Sequence, residues 1–436
     1  MSVYESINTL AKGMQDKLVA QRRDFHKYAE TGWFEMRTAS IIARHLSDLG
    51  YEVLLGEDVC KKDARMGVPS EEKLEAHYAW AAENGADPEF LPATRGGMTG
   101  VIGILRCGEG PTVAMRFDID ALGVIESEEA DHIPYAKGFA SVQKGAMHAC
   151  GHDVHSTVGM GVAEVLMAIK DQLHGTVKLI FQPAEEGVRG AKSIVEKGHL
   201  DGVDYFLGSH VTSRPEGSGL ELTPGTHGSL ATTKFDVFYR GKSSHAGGAP
   251  HLGNNALQAA ASAVLNLYAI PRHGKGASRI NVGTLVAGSG RNVIADEAKM
   301  ELELRGETSD INNYVCAAAE KVLKLSAEMY GCTCEIKLMG AADSAASDLD
   351  FAEHIQRICR EKAGLNVTDE LSMKIGGSED VCYMVARVQQ QGGKAAFMRL
   401  RTDFAAPGHN RRFDIEEGVL ERGVRAFCTV AADLLA

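Results

Sequence analysis

Apolar and polar positions along the chain fall into two patterns, and the change from one to the other marks the domain organisation. In the first half, Thr112–Asp120 (TVAMRFDID), Val177–Glu186 (VKLIFQPAEE) and Asp204–His210 (DYFLGSH) are short, mostly apolar runs that end in charged or imidazole residues, and they read as strands. Between the first two, Val158, Val162, Val165, Leu166 and Ile169 recur at helical spacing, which predicts a crossover helix over Ser156–Leu173 and with it an α/β arrangement. Residues 1–30 read as one amphipathic helix in which Glu, Asp and Lys are scattered.

From about residue 233 the order becomes strand (TKFDVFYRG), helix (NNALQAAASAVLNLYAI), two strands (SRINVGTLVAG and AKMELELRG), helix (INNYVCAAAEKVLKLSAEMY) and strand (CTCEIKLMG). This β-α-β-β-α-β order is the split βαβ signature of a four-stranded sheet with two helices on one face. After residue 343 the α/β pattern resumes and carries His409 near its end. The expected organisation is a discontinuous domain of residues 1–224 and 343–436, interrupted by an α+β domain over 225–342. Residues 56–97 fit neither pattern. Their helical stretch SEEKLEAHYAWAAENG, flanked by Pro69, Pro88 and Pro92, reads as an insertion packed on the surface or over the cleft.

Composition narrows the function classes. A chain of 436 residues exceeds the size at which one core keeps growing, in keeping with two domains. With 44% hydrophobic and 24% charged residues it has the balance of a soluble globular protein. It has no apolar run long enough to span a membrane and no leader-like start, so a cytoplasmic protein without a membrane partner is expected. The net charge of −12 argues against binding a phosphate backbone, and nucleic acid is not an expected partner. Nine scattered cysteines, an odd number, read as reduced thiols. Cys332 and Cys334 form a CxC on a predicted strand and read as structural, whereas Cys150 stands apart.

Cys150 lies in HACGHDVH (residues 148–155), where a thiol, imidazoles and a carboxylate crowd together as they do around Zn²⁺ or a similar transition ion. A loop that merely contains histidines is the plain alternative. It is weakened by further donors at predicted strand ends, because ligands in open α/β sheets bind beyond the carboxyl ends of strands. Glu185 and Glu186 would repel one another with no cation near. With a cation, one carboxylate can ligate while its neighbour carries a proton from water to a leaving amine. A Glu-Glu pair alone is usually a solvated surface feature, and His210 or His409 alone would be an ordinary core or surface histidine. Together with Cys150, His152 and Glu186 they make a set large enough for two ions sharing a bridging group.

MHACGHDVH, FQPAEEG, GSH at 208–210, SSHAGGAP, NVG followed by GSGRNVI, GGSED at 376–380, and HNRRFDIEE resemble, in the same order and over nearly the whole chain, the aminoacylase-type branch of the M20 metallopeptidases. The insertion near RMGVP and the run ARVQQ are similar to members of that branch that act on N-aroyl glutamates. The resemblance implies a zinc-aminopeptidase-like catalytic domain with a mixed sheet, interrupted by a dimerisation or lid domain. It implies two divalent ions, Mn²⁺ or Zn²⁺, held by Cys150, His152, Glu186, His210 and His409, with Cys150 as the bridge. Glu185 is then the general base, and Asp120 the carboxylate that orients a metal-bound histidine. His245 would stabilise an oxyanion, commonly across a dimer interface, its plain alternative being a turn-stabilising residue. Asn292 and Arg305 would hold the substrate's carbonyl or carboxylate, Arg305 being otherwise a solvated strand-end charge.

Two departures from the family pattern stand near the cleft: Ala295-Asp296 and Arg411 occupy places where proline is usual. They bear on substrate preference more than on the metal site. The implied activity is hydrolysis of the amide bond of a small N-acyl, in particular N-aroyl, amino acid. Hippurates, indole conjugates and N-acetyl-diamino acids are alternatives, and the assembly is a homodimer or a heterodimer with a related subunit. A non-catalytic metal-binding subunit of a hetero-oligomer is the competing class, disfavoured because the base and every ligand position are filled.

Overall fold

In the computed structural model, which describes residues 2–436, the first unit extends to His227 and resumes over Ala346–Ile375 and Asp380–Ala436. Its strands before the break are β1 (Glu52–Leu55), β2 (Val101–Arg106), β3 (Thr112–Asp118), β4 (Thr176–Gln182), β5 (Tyr205–Ser213), β6 (Leu222–Thr223) and β7 (Thr226–His227). The second unit, Gly228–Ala345 with Gly376–Glu379, holds β8 (Ala231–Arg240), β9 (Ser278–Ala287), β10 (Glu297–Gly306) and β11 (Thr333–Ala342). The first unit then adds β12 (Met373–Lys374) and β13 (Lys394–Thr402).

The large sheet has the order β1-β2-β4-β3-β5-β13-β6 and is mixed. β3 runs parallel to both β4 and β5, and β5 to β13, while β1, β2 and β6 pair antiparallel. Apolar runs at the centre follow from burial on both faces. Phe117 of β3 meets Phe181 of β4 and Phe427 of the helix Val419–Leu435, with ring centroids 5.5 and 5.0 Å apart. In the helix His152–Ala168 every residue as far as Leu166 except Glu164 is buried against this core.

That helix begins at His152, ahead of the expected Ser156. Gly151, with φ of 86°, turns the chain into it, and His152, Asp153 and His155 are buried toward the strand ends, where polar residues break the apolar periodicity. The single helix expected over residues 1–30 is two, Val3–Gly13 and Gln15–Lys27, parted at Met14 next to Gly13. The 56–97 segment carries the helix Glu71–Glu83, whose Leu74 and Ala81 pack with Met36 and Leu91 in a small core of their own.

In the second unit the order is β11-β8-β10-β9, antiparallel throughout. From Ala298 onward β10 alternates buried and half-buried residues, and Met300 and Leu304 share a core with Ala260, Ala263, Val315 and Leu323 from the helices Ala256–Tyr268 and Ser309–Met329. The units divide at Gly228 and Ala345 rather than at 225 and 342, because β7 pairs with β12 and Ser347 accepts the amide of Thr226 within the first unit. All nine cysteines are free, with Cys332 buried in the small core and Cys334 packed against it. Among the described residues no helix is long and apolar enough to cross a membrane.

Candidate metal centre and active site

Parallel pairing in register, Asp118 opposite Gln182 and Arg116 opposite Gly208, sets the carboxyl ends of β3, β4 and β5 side by side. The chain leaving β3 carries Asp120, the turn after β4 carries Glu185 and Glu186, and β5 carries His210. Cys150 and His152 enter from the adjacent helix start, with Cys150 Sγ 3.3 Å from His210 Nε2. His409, with φ of 62° and its amide bonded to the Ala149 carbonyl at 2.7 Å, places Nε2 3.7 Å from Glu186 Oε1. Two donor groups result, Cys150 with His152 and His210, and Cys150 with Glu186 and His409, each with its ligand atoms within 4.8 Å of one another. They share the Cys150 sulfur. His152 also groups with Glu185 and Glu186 within the same limit.

One carboxylate orders most of this arrangement. Asp120 accepts the amides of Glu185 on Oδ1 at 3.0 Å and of Glu186 on Oδ2 at 2.9 Å. Its backbone carbonyl accepts from His152 Nδ1 at 2.8 Å. His152 Nε2 is thereby turned inward, where it is buried with no hydrogen-bond partner. His210 is fixed in the same sense, its Nδ1 donating to the Val211 carbonyl at 2.6 Å.

Two further buried carboxylates hold the same loop. Glu35 accepts the amide of Ala184 at 2.7 Å and the Thr99 hydroxyl at 2.7 Å. Asp380 accepts the amides of Gly190 and Ala191 at 3.1 and 2.9 Å and both of its oxygens meet Gln182 Nε2. Ala184 and Val188 sit at φ of 50° and 59°, so the loop is clamped on both sides of its strained residues. Behind it, Arg116 pairs with Asp118 at 2.5 Å and Asp380 at 3.3 Å, and Asp118 meets His155 Nδ1 at 2.5 Å. Glu35, Arg116 and the Asp118–His155 pair escaped the sequence reading, and Gln182 and Asp380 were legible only as members of FQPAEEG and GGSED.

The electrostatics suit a cation. Burial would lower His152, but Asp118, Asp120 and Cys150 outweigh it and hold the ring well above its ordinary pKa, so the field favours positive charge where Nε2 points. Burial holds His210 well below the ordinary histidine value, leaving a neutral ring able to ligate. Burial pushes the Cys150 thiol up to about 12, aided by Glu186 and Glu185, and a thiolate there calls for a neighbouring cation. Burial pushes Glu35 up to about 8 and Asp380 up to about 6.

His245, Asn292 and Arg305 belong to the second unit. His245 is exposed, and its Nδ1 accepts the amides of Gly247 and Gly248 at 3.1 and 2.9 Å, so the neutral ring carries its proton on Nε2. Asn292 is exposed, and its carbonyl accepts the Ala246 amide at 3.0 Å, which ties its loop to that of His245. The Arg305 fork is engaged by Glu303 on the same strand, at 2.9 and 3.0 Å.

A thiol, imidazoles and carboxylates gathered around a buried glutamate beyond three parallel strands define a hydrolase with the donors for a metal centre. The chain belongs to peptidase family M20/M25/M40, whose pattern matches residues 114–433. It is 43% identical over 429 residues to one of the subunits of p-aminobenzoyl-glutamate hydrolase from Escherichia coli strain K12, covering 98% of both chains. It is 44% identical over 427 residues to the indole-3-acetyl-aspartic acid hydrolase of Enterobacter agglomerans, covering 98% of this chain and 97% of that one. The crystal structure of an aminobenzoyl-glutamate utilization protein from Klebsiella pneumoniae matches with a TM-score of 0.84 at 38% identity over 98% of each chain.

Proposed function

We propose that the chain hydrolyses the amide bond of small N-acyl amino acids, with p-aminobenzoyl-glutamate as its first substrate. The observation that carries the reading is the clamped Glu185–Glu186 pair beside two donor groups that share Cys150. Relatives at 43% and 44% identity named for aminobenzoyl-glutamate and indole-3-acetyl-aspartate supply the substrate class, an acidic amino acid under an aromatic acyl group.

Cys150, His152, Glu186, His210 and His409 would hold two divalent cations, Mn²⁺ or Zn²⁺. When bound, these supply Lewis-acid polarisation of a carbonyl and acidify water. Glu185 takes the proton of the attacking water and returns it to the nitrogen of the leaving amino acid. Its backbone amide is held by Asp120, which fixes the point from which the side chain reaches into the site. His245 donates from Nε2 to the developing oxyanion, in keeping with the tautomer set by Gly247 and Gly248. Asn292 and Arg305 take the substrate's carbonyl and carboxylate, for which Arg305 exchanges Glu303 for the ligand.

A dimer, with a second copy or a related chain, is supported within the second unit. Leu257, Leu265 and Tyr268 are exposed along one face of their helix, and Leu285 and Val286 on the edge strand β9 are exposed as well. Free cysteines throughout suit a cytoplasmic setting.

The test is amino-acid release from p-aminobenzoyl-glutamate, indole-3-acetyl-aspartate and hippurate after chelation and restoration of Mn²⁺ or Zn²⁺. Metal-dependent release favouring the glutamate compound supports the proposal. Preference for indole-3-acetyl-aspartate, the reading favoured by the 44% identical relative, keeps the mechanism and changes the substrate. Absence of release from all three refutes hydrolysis by this chain alone.

A further inference from the structure

The 56–97 segment, to which neither the sequence nor the metal centre assigns a task, builds one wall of a cavity of about 420 Å³ within the first unit. Its helix contributes Lys73, His77 and Trp80, and the facing walls contribute Thr31, Phe34 and Lys144. The aromatic side is organised rather than loose. Trp80 stacks on His77 with centroids 4.9 Å apart, and Phe34 meets His77 edge-on at 5.1 Å. The His77 ring is held by Glu30, whose Oε1 lies 2.8 Å from Nε2 and which is itself buried and accepts the amides of Arg37 and Thr38. A ligand's ring would therefore meet prearranged faces and edges.

The cavity wall is continuous with the segment that carries Asp120. Thr31 bridges to Ala121, the Glu30 carbonyl accepts the Ala121 amide at 2.7 Å, and Ala146 of the cavity packs with Ala29 and Ala121. Leu122 and Met147 then exchange both amides at 3.0 Å, directly before the loop leading to Cys150. Lys73 and Lys144 are exposed and bring positive charge to a chain of net charge −12. The volume lies within the range of small-molecule pockets and accommodates a one- or two-ring aromatic group.

We propose that this cavity is the subsite for the aromatic acyl group of the substrate, an aryl ring lying against Trp80 and Phe34 with the lysines drawing in its anionic conjugate. The inference rests on the amidohydrolase reading above and assigns the 56–97 segment the selection of the acyl group. Acyl groups without a ring gain nothing from it.

The metal-loaded chain and its Trp80→Ala variant are compared on N-benzoyl-glutamate and N-acetyl-glutamate, with a calorimetric titration of benzoate alongside. The expected result is a loss of at least tenfold in kcat/KM on the benzoyl compound and less than twofold on the acetyl compound. An equal loss on both, or none on the benzoyl compound, overturns the proposal. If the wild-type chain hydrolyses neither, the amidohydrolase reading is left to the substrates named above and benzoate decides the cavity alone. Saturable binding weakened at least tenfold by Trp80→Ala supports it, and no saturable binding, or binding the variant leaves unchanged, overturns it. Should Trp80→Ala not fold, the Lys73→Glu/Lys144→Glu pair, at exposed positions, takes its place: benzoate binding weakened severalfold supports the subsite and unchanged binding overturns it.

Discussion

Raising the pH from about 6 to about 9.5 removes about 3 kcal/mol of stability from the first unit through one side chain, His26. The ring is fully buried, with Nδ1 2.9 Å from Asp153 Oδ2 and Nε2 2.9 Å from Glu126 Oε1. Burial alone would lower its pKa, but the two carboxylates outweigh burial and raise it from the ordinary 6.5 to about 9. That gap, at about 1.4 kcal/mol per unit, gives the figure of about 3 kcal/mol. A raised folded-state value means that the contribution is complete below the unfolded value of 6.5 and fades as pH climbs through 9. Both tryptophans of the chain, Trp33 and Trp80, lie in the first unit, so urea unfolding followed by their fluorescence reports on that unit. Wild type and His26→Gln are compared at the two pH values, and the wild type should lose about 3 kcal/mol more than the variant. Equal losses would show that His26 is not charged in the folded protein and refute the reasoning.

Glu185→Gln should lower kcat by roughly 10²–10⁴-fold while elemental analysis finds the metal content of wild type; a fully active variant removes the proposed base. Asp120→Ala frees the amides of Glu185 and Glu186 and removes the 3.3 Å contact of Oδ1 with His152 Nδ1, while the ring keeps its bond to the backbone carbonyl at 120, and metal affinity measured against a chromophoric chelator should weaken roughly 10–100-fold. Unchanged affinity would show that the loop keeps its shape without that carboxylate. A Cβ at Gly190 would stand 1.8 Å from the Pro183 carbonyl oxygen, so Gly190→Ala must displace the turn carrying both glutamates. A lower Tm together with loss of turnover is expected, and a variant matching wild type in both counts against the clamp.

How much of this could be read from the sequence depended on whether a residue's neighbours in space were also its neighbours in the chain. The small sheet was legible because β10 shows its burial alternation in the residues themselves, AKMELELR. The donor set was legible because Cys150 and His152 stand two apart and Glu185 and Glu186 are adjacent. The start of the helix at His152 was not, since its first turn buries polar side chains and hides the apolar period. Glu35 could not be found because its meaning lies in Ala184, a contact across 149 positions that leaves no local mark. Arg116 was likewise hidden inside an otherwise apolar strand, because besides the nearby Asp118 its partners Gln182 and Asp380 lie 66 and 264 positions away. The use of the 56–97 helix was hidden for the same reason, because six of the ten residues lining its cavity come from outside it.

The position of β13 between β5 and β6 imposes an order on the birth of the molecule. A nascent chain that has emerged as far as His227 has β5 with one side unpaired, and the strand that covers it is not made until Lys394–Thr402. Nearly all of the second unit, by contrast, is contiguous from Gly228 to Ala345 and can finish while synthesis continues. Once finished, it holds its own ends together, with Thr232 opposite Ala342 across β8 and β11. The long detour then counts for the waiting half-sheet as a short bridge, and the entropy of closing it has already been spent. Until then the open flank of β5 is an unpaired edge that another chain could join, so the time the molecule spends exposed during synthesis depends on how quickly its last strand arrives.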